Sequence, residues 1–244
     1  MATNPMHQFQ VHRVGPEIKF GGIDLSFTNA SLFMVISASI ILLFLSLVTK
    51  EKKIIPDKVQ LIAEIFYSFV AKMISDTAGS KAKPYFPFIF SLFMFVLFCN
   101  MLGMLPYSFT VTSHIIVTLL MAIFIFVAVT VIGFMKHGLG YLKLFVPSGV
   151  PVILLPLITV IEIISYLSRP VSLSVRLFAN MMAGHTMLKV FGGFVISLGM
   201  LGGWLPLGFS VALTGLEILV AFLQAYVFAI LTCIYLNDAL NLHH

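Results

Sequence analysis

The chain has 244 residues, of which 60% are hydrophobic and only 9% charged, with a mean hydropathy of +1.09. A soluble domain carries roughly 25% charged residues, so this balance excludes a soluble enzyme and predicts a polytopic membrane protein. The formal charge of +5 does not point to nucleic acid, because the lysines cluster beside apolar runs, as membrane topology requires.

The N-terminal stretch 1–25 carries Arg13, Glu17, Lys19 and Asp24. It lacks the basic start and small-residue cleavage site of a secretory signal and reads as an outer segment. Uncharged runs follow at 25–49, 84–135, 144–161, 190–216 and 218–237, most of them reaching the ~20 residues a helix needs to cross a bilayer. The first span is expected over 26–49. It ends at Lys50-Glu51-Lys52-Lys53, a basic cluster that stays on the inner side and leaves the N-terminus outside.

Segment 55–76 opens with Pro56 and Asp57, both suited to a helix first turn, and sets Ile62, Ile65, Phe66, Phe69 and Met73 on one face. It reads as an amphipathic helix along the inner membrane surface, stopped near Gly79. The run 84–135 would measure ~78 Å as one helix, too long for a single crossing of a ~30 Å core. It therefore predicts two spans, 84–105 and 114–135, joined by an outer turn at 106–114 that holds a proline and polar side chains but no lysine or arginine. Lys136, His137 and Lys143 mark a second inner loop. Asn100 and His114 are candidates to line a pathway, with an interhelical hydrogen bond or a loop position as the better reading of each. Cys99 and Cys233 lie far apart in lipid-grade sequence and read as packing residues rather than as a disulfide or a metal pair.

Beyond residue 144 no polar loop occurs until the Gly/Pro/Trp segment 199–206. A break at Arg169-Pro170 would put Arg169 and Arg176 outside, against the positive-inside bias. The better reading is one long, tilted helix over 147–198, a turn, and a returning helix over 206–237 with the C-terminus inside. The fold class is all-α polytopic membrane protein, a single membrane domain of five transmembrane helices plus one amphipathic surface helix, the last two spans forming a long tilted hairpin.

This hairpin holds the chemistry. A guanidinium stays charged at any attainable pH, and placing one at membrane depth costs roughly 2.5 to 3.5 kcal/mol or more, so Arg176 reads as functional. On an ideal helix Glu162, Ser165, Arg169, Ser172, Arg176 and Asn180 fall within about 40° on either side of the Arg176 direction. His185 points about 180° from Arg176 on the same count. In the returning helix Glu217 and Gln224 share a face, and a hairpin turning near Gly202 brings Glu217 to the depth of His185 and Gln224 toward that of Arg176. Glu162 lies toward the inner end, His185 and Glu217 toward the outer end, and each can take up and release protons. A permanent cation between them blocks direct leakage, yet attracts a carboxylate on another protein.

The Arg-Leu-Phe-Ala-Asn-Met run at 176–181, followed by Ala183-Gly184, resembles the subunit a family of F-type ATP synthases (subunit 6 in mitochondria), over nearly the whole chain. The Met181-Met182-Ala183 and His185 setting is similar to its alphaproteobacterial and mitochondrial branch. The resemblance implies a proton-translocating stator subunit with two offset half-channels. Arg176 would be the essential arginine facing the carboxylate of the rotating c-ring. His185, Glu217 and Gln224 would line the outer half-channel and Glu162 and Ser165 the inner one, with Asn180, Arg169 and Ser172 in support. Some family members carry an acid where this chain has His185 and a histidine where it has Glu217; the exchange keeps one acid and one imidazole. The implied partners are the c-ring subunits, the subunit b peripheral stalk, the rest of the synthase, membrane lipid and protons, with no nucleic acid. No cofactor or metal is implied, and no P-loop is present, so nucleotide chemistry lies elsewhere. The implied location is a bacterial cell inner membrane, with the mitochondrial inner membrane as alternative. The competing function, an ion-coupled secondary transporter, predicts internal repeats and paired broken helices, and no second copy of the Arg176 segment is found.

Overall fold

The computed structural model describes residues 9–15, 19–20, 23–24, 26–50, 56–105, 108–146 and 154–241. Glu51, Lys52 and Lys53 of the first basic cluster, Pro106 and Tyr107 of the outer turn, and 147–153 of the expected long helix lie outside the described residues.

Two short strands, β1 (Lys19–Phe20) and β2 (Ile23–Asp24), pair antiparallel ahead of the helices. Helix α1 spans Asn29–Lys50, α2 Lys58–Ala78, α3 Phe86–Gly103, α4 Ile115–His137, α5 Leu155–Gly202 and α6 Trp204–Leu240. Among the described residues five of these helices, all but α2, are long and apolar enough to cross a membrane. That is the expected all-α polytopic class with one additional amphipathic helix.

The starts and stops have local causes. Thr28 Oγ1 accepts the Ser31 backbone N–H at 3.4 Å and caps the first turn of α1. Gly79 ends α2 at φ 69° and ψ −167°, a conformation open to glycine and strained for any residue with a Cβ. Inside the last span of α5, Gly199 leaves helical geometry at φ 59°. The Gly203 N–H then donates to the Gly199 carbonyl at 2.9 Å, and a Cβ at Gly203 would stand 2.5 Å from that oxygen. A residue without a side chain at both positions lets the chain reverse within a few residues between α5 and α6.

The chain forms two compact units. The first contains α1, the part of α3 from Met94 with the loop to Ile115, α5 from Leu177 and α6 as far as Ala225. Its core includes Val96, Leu97, Leu177, Met181, Ala221 and Ala225, all buried. Aromatic contacts tie α1 to α3 and its loop, with Phe44 to Phe98 and Phe33 to Phe109 both at 6.3 Å, and Phe191 stacks on Phe209 across the α5–α6 turn at 5.8 Å. The loop after α3 is not a solvated turn: Phe109 through Ser113 are buried, Ser108 Oγ and Thr110 Oγ1 both lie within bonding reach of the Gly103 carbonyl, and the Phe109 and His114 rings stack at 4.9 Å. Burial beside that ring holds the pKa of His114 below its usual value.

The second unit contains α2, α3 up to Phe93, α4 from Ile116, α5 as far as Arg176 and α6 from Tyr226. The face expected on α2 divides. Phe66 and Phe69 pack on Phe93, and Phe69 also meets Tyr226, with Val70, Met73 and Ile74 buried. Ile62 and Ile65 stay exposed together with Leu61 and Val59, an apolar flank left for lipid. Tyr141, in the turn after α4, is buried against Gly133, where a methyl group would overlap its ring.

Candidate functional site

Charged and polar side chains within apolar helices stay only where something holds them, so the polar contacts of α5 and α6 define the candidate site. In the first unit α5 and α6 run antiparallel, and the spacing from the turn at Gly199 and Gly203 brings the predicted pair His185 and Glu217 together and sets Gln224, expected toward the depth of Arg176, against Asn180. His185 Nδ1 lies 4.0 Å from Glu217 Oε1. Closer to the middle of the hairpin, Asn180 Nδ2 donates to Gln224 Oε1 at 3.0 Å.

Glu217 is buried at 6% exposure and Gln224 at 3%. Neither carboxyl oxygen of Glu217 nor Nε2 of Gln224 has a hydrogen-bond partner among the described residues. Such groups are rare in a folded interior and mark places where the chain has something other than packing to do. Gly184 supplies the room, because a methyl group there would overlap the Glu217 carboxylate.

Two further residues complete this cluster. Thr110 Oγ1 lies 3.0 Å from His185 Nε2, and fully buried Asn100 donates from Nδ2 to the Ala221 carbonyl at 3.3 Å, leaving its Oδ1 without a partner among the described residues. Asn100 thus stands against α6 between the turns of Glu217 and Gln224. The sequence gives no sign of Thr110, which sits in a loop with no periodicity to aim it. Asn100 is legible as an interhelical hydrogen bond, and it makes one.

In the second unit Arg176 is exposed, as are Ser172 and Val175, while Leu173 and Ser174 turn inward and Ser174 shares a hydrogen bond with Thr118 at 3.1 Å. Among the described residues no ion pair or hydrogen bond reaches Arg176. Arg169, expected on the same stripe, is otherwise engaged: its Nη1 meets Asp238 Oδ2 at 3.0 Å, and its guanidinium lies over the Tyr166 and Tyr235 rings at 5.4 and 5.0 Å. Tyr166 continues a hydroxyl chain to Tyr141 at 3.0 Å and Thr130 at 2.7 Å. Asp238 is absent from the sequence-predicted set, because its partner lies 69 residues away and only the register of the hairpin reveals it. Glu162 is half-buried and Ser165 exposed, and among the described residues no hydrogen bond or ion pair joins the side chain of either to another predicted site residue. Among the described residues no group of three or more His, Cys, Asp or Glu side chains could hold a metal ion.

The arrangement sets a part-buried imidazole against a buried carboxyl in one unit, and in the other it leaves Arg176 exposed beside Ser172 and Val175. Residues 31–237 match the family model described as ATP synthase A chain. The chain is 81% identical over 244 residues to ATP synthase subunit a of Pelagibacter ubique (strain HTCC1062), covering all of both chains. It is 60% identical over 250 residues to that of Chelativorans sp. (strain BNC1), again covering both chains fully. It is 61% identical over 247 residues to that of Rhizobium johnstonii, covering 99% of this chain and 98% of the relative. On the match of the family model over most of its length, and on full-length identity to these relatives, the chain belongs to the ATP synthase A chain family.

Proposed function

We propose that this chain is the proton-translocating stator subunit of a rotary F-type ATP synthase, with two offset half-channels separated by the charge of Arg176. Its family makes it a non-catalytic membrane-sector subunit of the synthase, and its five apolar helices suit a multi-pass protein of the bacterial inner membrane. The observation that carries the finer reading is the pairing of part-buried His185 with buried Glu217, beside the Asn180–Gln224 hydrogen bond. It is a titratable pair at membrane depth, kept on the inward side of the hairpin, where a structural role alone calls for no unpartnered carboxyl oxygens.

In this reading a proton from the outer side reaches His185 and Glu217, passes Gln224 and Asn180, and neutralises a carboxyl group on the c-ring. The neutral site can then rotate through lipid, which a carboxylate could not enter cheaply. Arg176, unable to give up its proton, favours the ionised carboxyl on the returning site, and the proton leaves toward the inner side by way of Glu162 and Ser165. Each charge that crosses 100 mV releases about 2.3 kcal/mol for rotation. The outer-path residues all fall in one compact unit, and Glu162, Ser165 and Arg176 in the other. Support for a ring at Arg176 comes from the exposure of the side chains beside it: Val171, Ser172, Val175 and Arg176 itself are all exposed. The subunit b stalk is the other implied partner, and the N-terminus outside with the C-terminus inside is the implied orientation.

The test is R176A in the assembled synthase, read as ATP-driven acidification of inverted membrane vesicles. The reading expects pumping to be abolished while the subunit remains inserted and assembled. Pumping at the wild-type rate would contradict it.

A further inference from the structure

His185 is gripped from two sides in one unit. Its Nδ1 faces Glu217 Oε1 on α6, and its Nε2 faces Thr110 Oγ1 in the loop after α3. A neutral imidazole carries its proton on one nitrogen only, and the hydrogen bond made by the other nitrogen decides which. The direction of the Thr110 contact depends on where its hydroxyl proton goes, and Thr110 has a second partner for it. Thr110 Oγ1 lies 3.1 Å from the Gly103 carbonyl oxygen, which can only accept. The other hydroxyl near that oxygen, Ser108 Oγ, has a shorter contact of 2.7 Å with the Leu105 carbonyl. With the Ser108 proton on Leu105, the Thr110 hydroxyl is the side-chain donor left for the Gly103 carbonyl, and in that arrangement Thr110 Oγ1 accepts from His185 Nε2.

We infer that Thr110 is a positioning residue that holds neutral His185 as the Nε2–H tautomer, so that the lone pair of Nδ1 points at Glu217. This deepens the proton-path reading above and rests on it. The consequence for the pair is specific. With Glu217 ionised and His185 neutral, two acceptors oppose one another, so the pair is matched when it holds one proton between Nδ1 and Oε1. That proton sits either on Glu217, donating toward Nδ1, or on Nδ1, giving an imidazolium beside a carboxylate. Transfer breaks the Oε1–H bond as the Nδ1–H bond forms, and the reverse step restores both groups. Closing the 4.0 Å separation to hydrogen-bond length takes a shift of roughly 1 Å.

Held instead as the Nδ1–H tautomer, His185 would present a proton to Glu217 that it could not also accept, and the exchange would stop. The frame that enforces the orientation is tight. A Cβ at Gly103 would stand 2.7 Å from Thr110 Cγ2, and one at Gly184 would overlap the Glu217 carboxylate. Among the described residues the charged and titratable groups near His185 are Glu217 on α6 and Lys189 one turn along its own helix, with His114 in the same loop as Thr110, stacked on Phe109. Among the described residues the contact at Nε2 is Thr110 Oγ1.

The test compares T110V, which keeps the shape and removes the hydroxyl, with T110S, which keeps the hydroxyl, in the whole synthase. Solid-state nitrogen NMR on histidine-labelled complex, with the His185 signal assigned by its loss in H185Q, reads the tautomer without reference to activity. The expected result is Nε2–H in the wild type and in T110S, and a shift of population toward Nδ1–H in T110V. ATP-driven pumping by T110V should fall about tenfold with normal assembly, less than the loss from removing a proton-transferring group outright, and T110S should pump near the wild-type rate. A wild-type tautomer and rate in T110V, or a T110S as impaired as T110V, would overturn the inference. Normal pumping by E217Q would overturn the proton-path reading instead, while a tautomer shift in T110V would still support the Thr110 contact.

Discussion

Asn180 donates from Nδ2 to Gln224 Oε1 across α5 and α6 at 3.0 Å, one turn of α5 beyond Arg176. The two carboxamides differ in surroundings: Asn180 is exposed and Gln224 buried. Losing Gln224 leaves Asn180 free to find other partners, whereas losing Asn180 strands a buried amide, which costs about 1 to 3 kcal/mol. N180L is therefore expected to lower the thermal stability of the detergent-solubilised complex more than Q224L does, although its side chain is the more exposed. Unfolding midpoints of the two variants check the order.

Gly184 and Glu217 form a complementary pair of sizes. The methyl group of G184A would enter the space of the Glu217 carboxylate, and a helix packed on both sides relieves such overlap only at a cost of about 1 to 3 kcal/mol. G184A should lose most pumping. Shortening the acid by one methylene in G184A/E217D should restore part of it, and vesicle acidification by the single and double variants reads that rescue.

Arg169 and Asp238 are each about a quarter exposed, with side-chain exposures of 23% and 29%, so water screens the pair only in part. Removing one partner leaves a charge facing apolar surroundings and is the costly change, while removing both is often tolerated. D238N and R169L are each expected to destabilise by about 1 to 3 kcal/mol, and R169L/D238L by less than either alone. Thermal denaturation of the three variants in one detergent measures the coupling.

His114 gives the loop after α3 a pH dependence. Its pKa is held below the ordinary value of 6.5 by burial, so the unfolded loop binds a proton more readily than the folded one. The contribution to stability is complete above pH 6.5 and is lost as pH falls through the lower folded value. Protection factors for the amides of Thr110 through Ser113 should drop between pH 7.5 and 5.5, and H114Q should flatten that drop.

The architecture was readable because the signals are strong and local. Charge-free runs mark the spans, Pro56, Asp57 and Gly79 bracket α2, and the glycines at 199 and 203 mark the reversal between α5 and α6. Counting residues from that reversal also sets His185 level with Glu217 and Gln224 toward the depth of Arg176; that Gln224 bonds Asn180, one turn further on, shows only in the structure. What the sequence hides depends on tertiary register or on loop conformation. Thr110 reaches His185 only because its loop folds inward and buries Phe109 through Ser113. Asp238 is visible as the partner of Arg169 only once the hairpin is aligned. On α2, helical periodicity groups Ile62 and Ile65 with Phe66 and Met73, but the contacts with Phe93 and Tyr226 draw in only part of that stripe.

The central claim is that two wet routes end on opposite sides of the membrane without joining. Single cysteines at positions 162 and 217, in a background with Cys99 and Cys233 replaced, can be challenged by a membrane-impermeant thiol reagent applied to either face of sealed vesicles carrying the assembled synthase. The account predicts that position 217 reacts from the outer face alone and position 162 from the inner face alone. Labelling of both positions from one and the same face would contradict it.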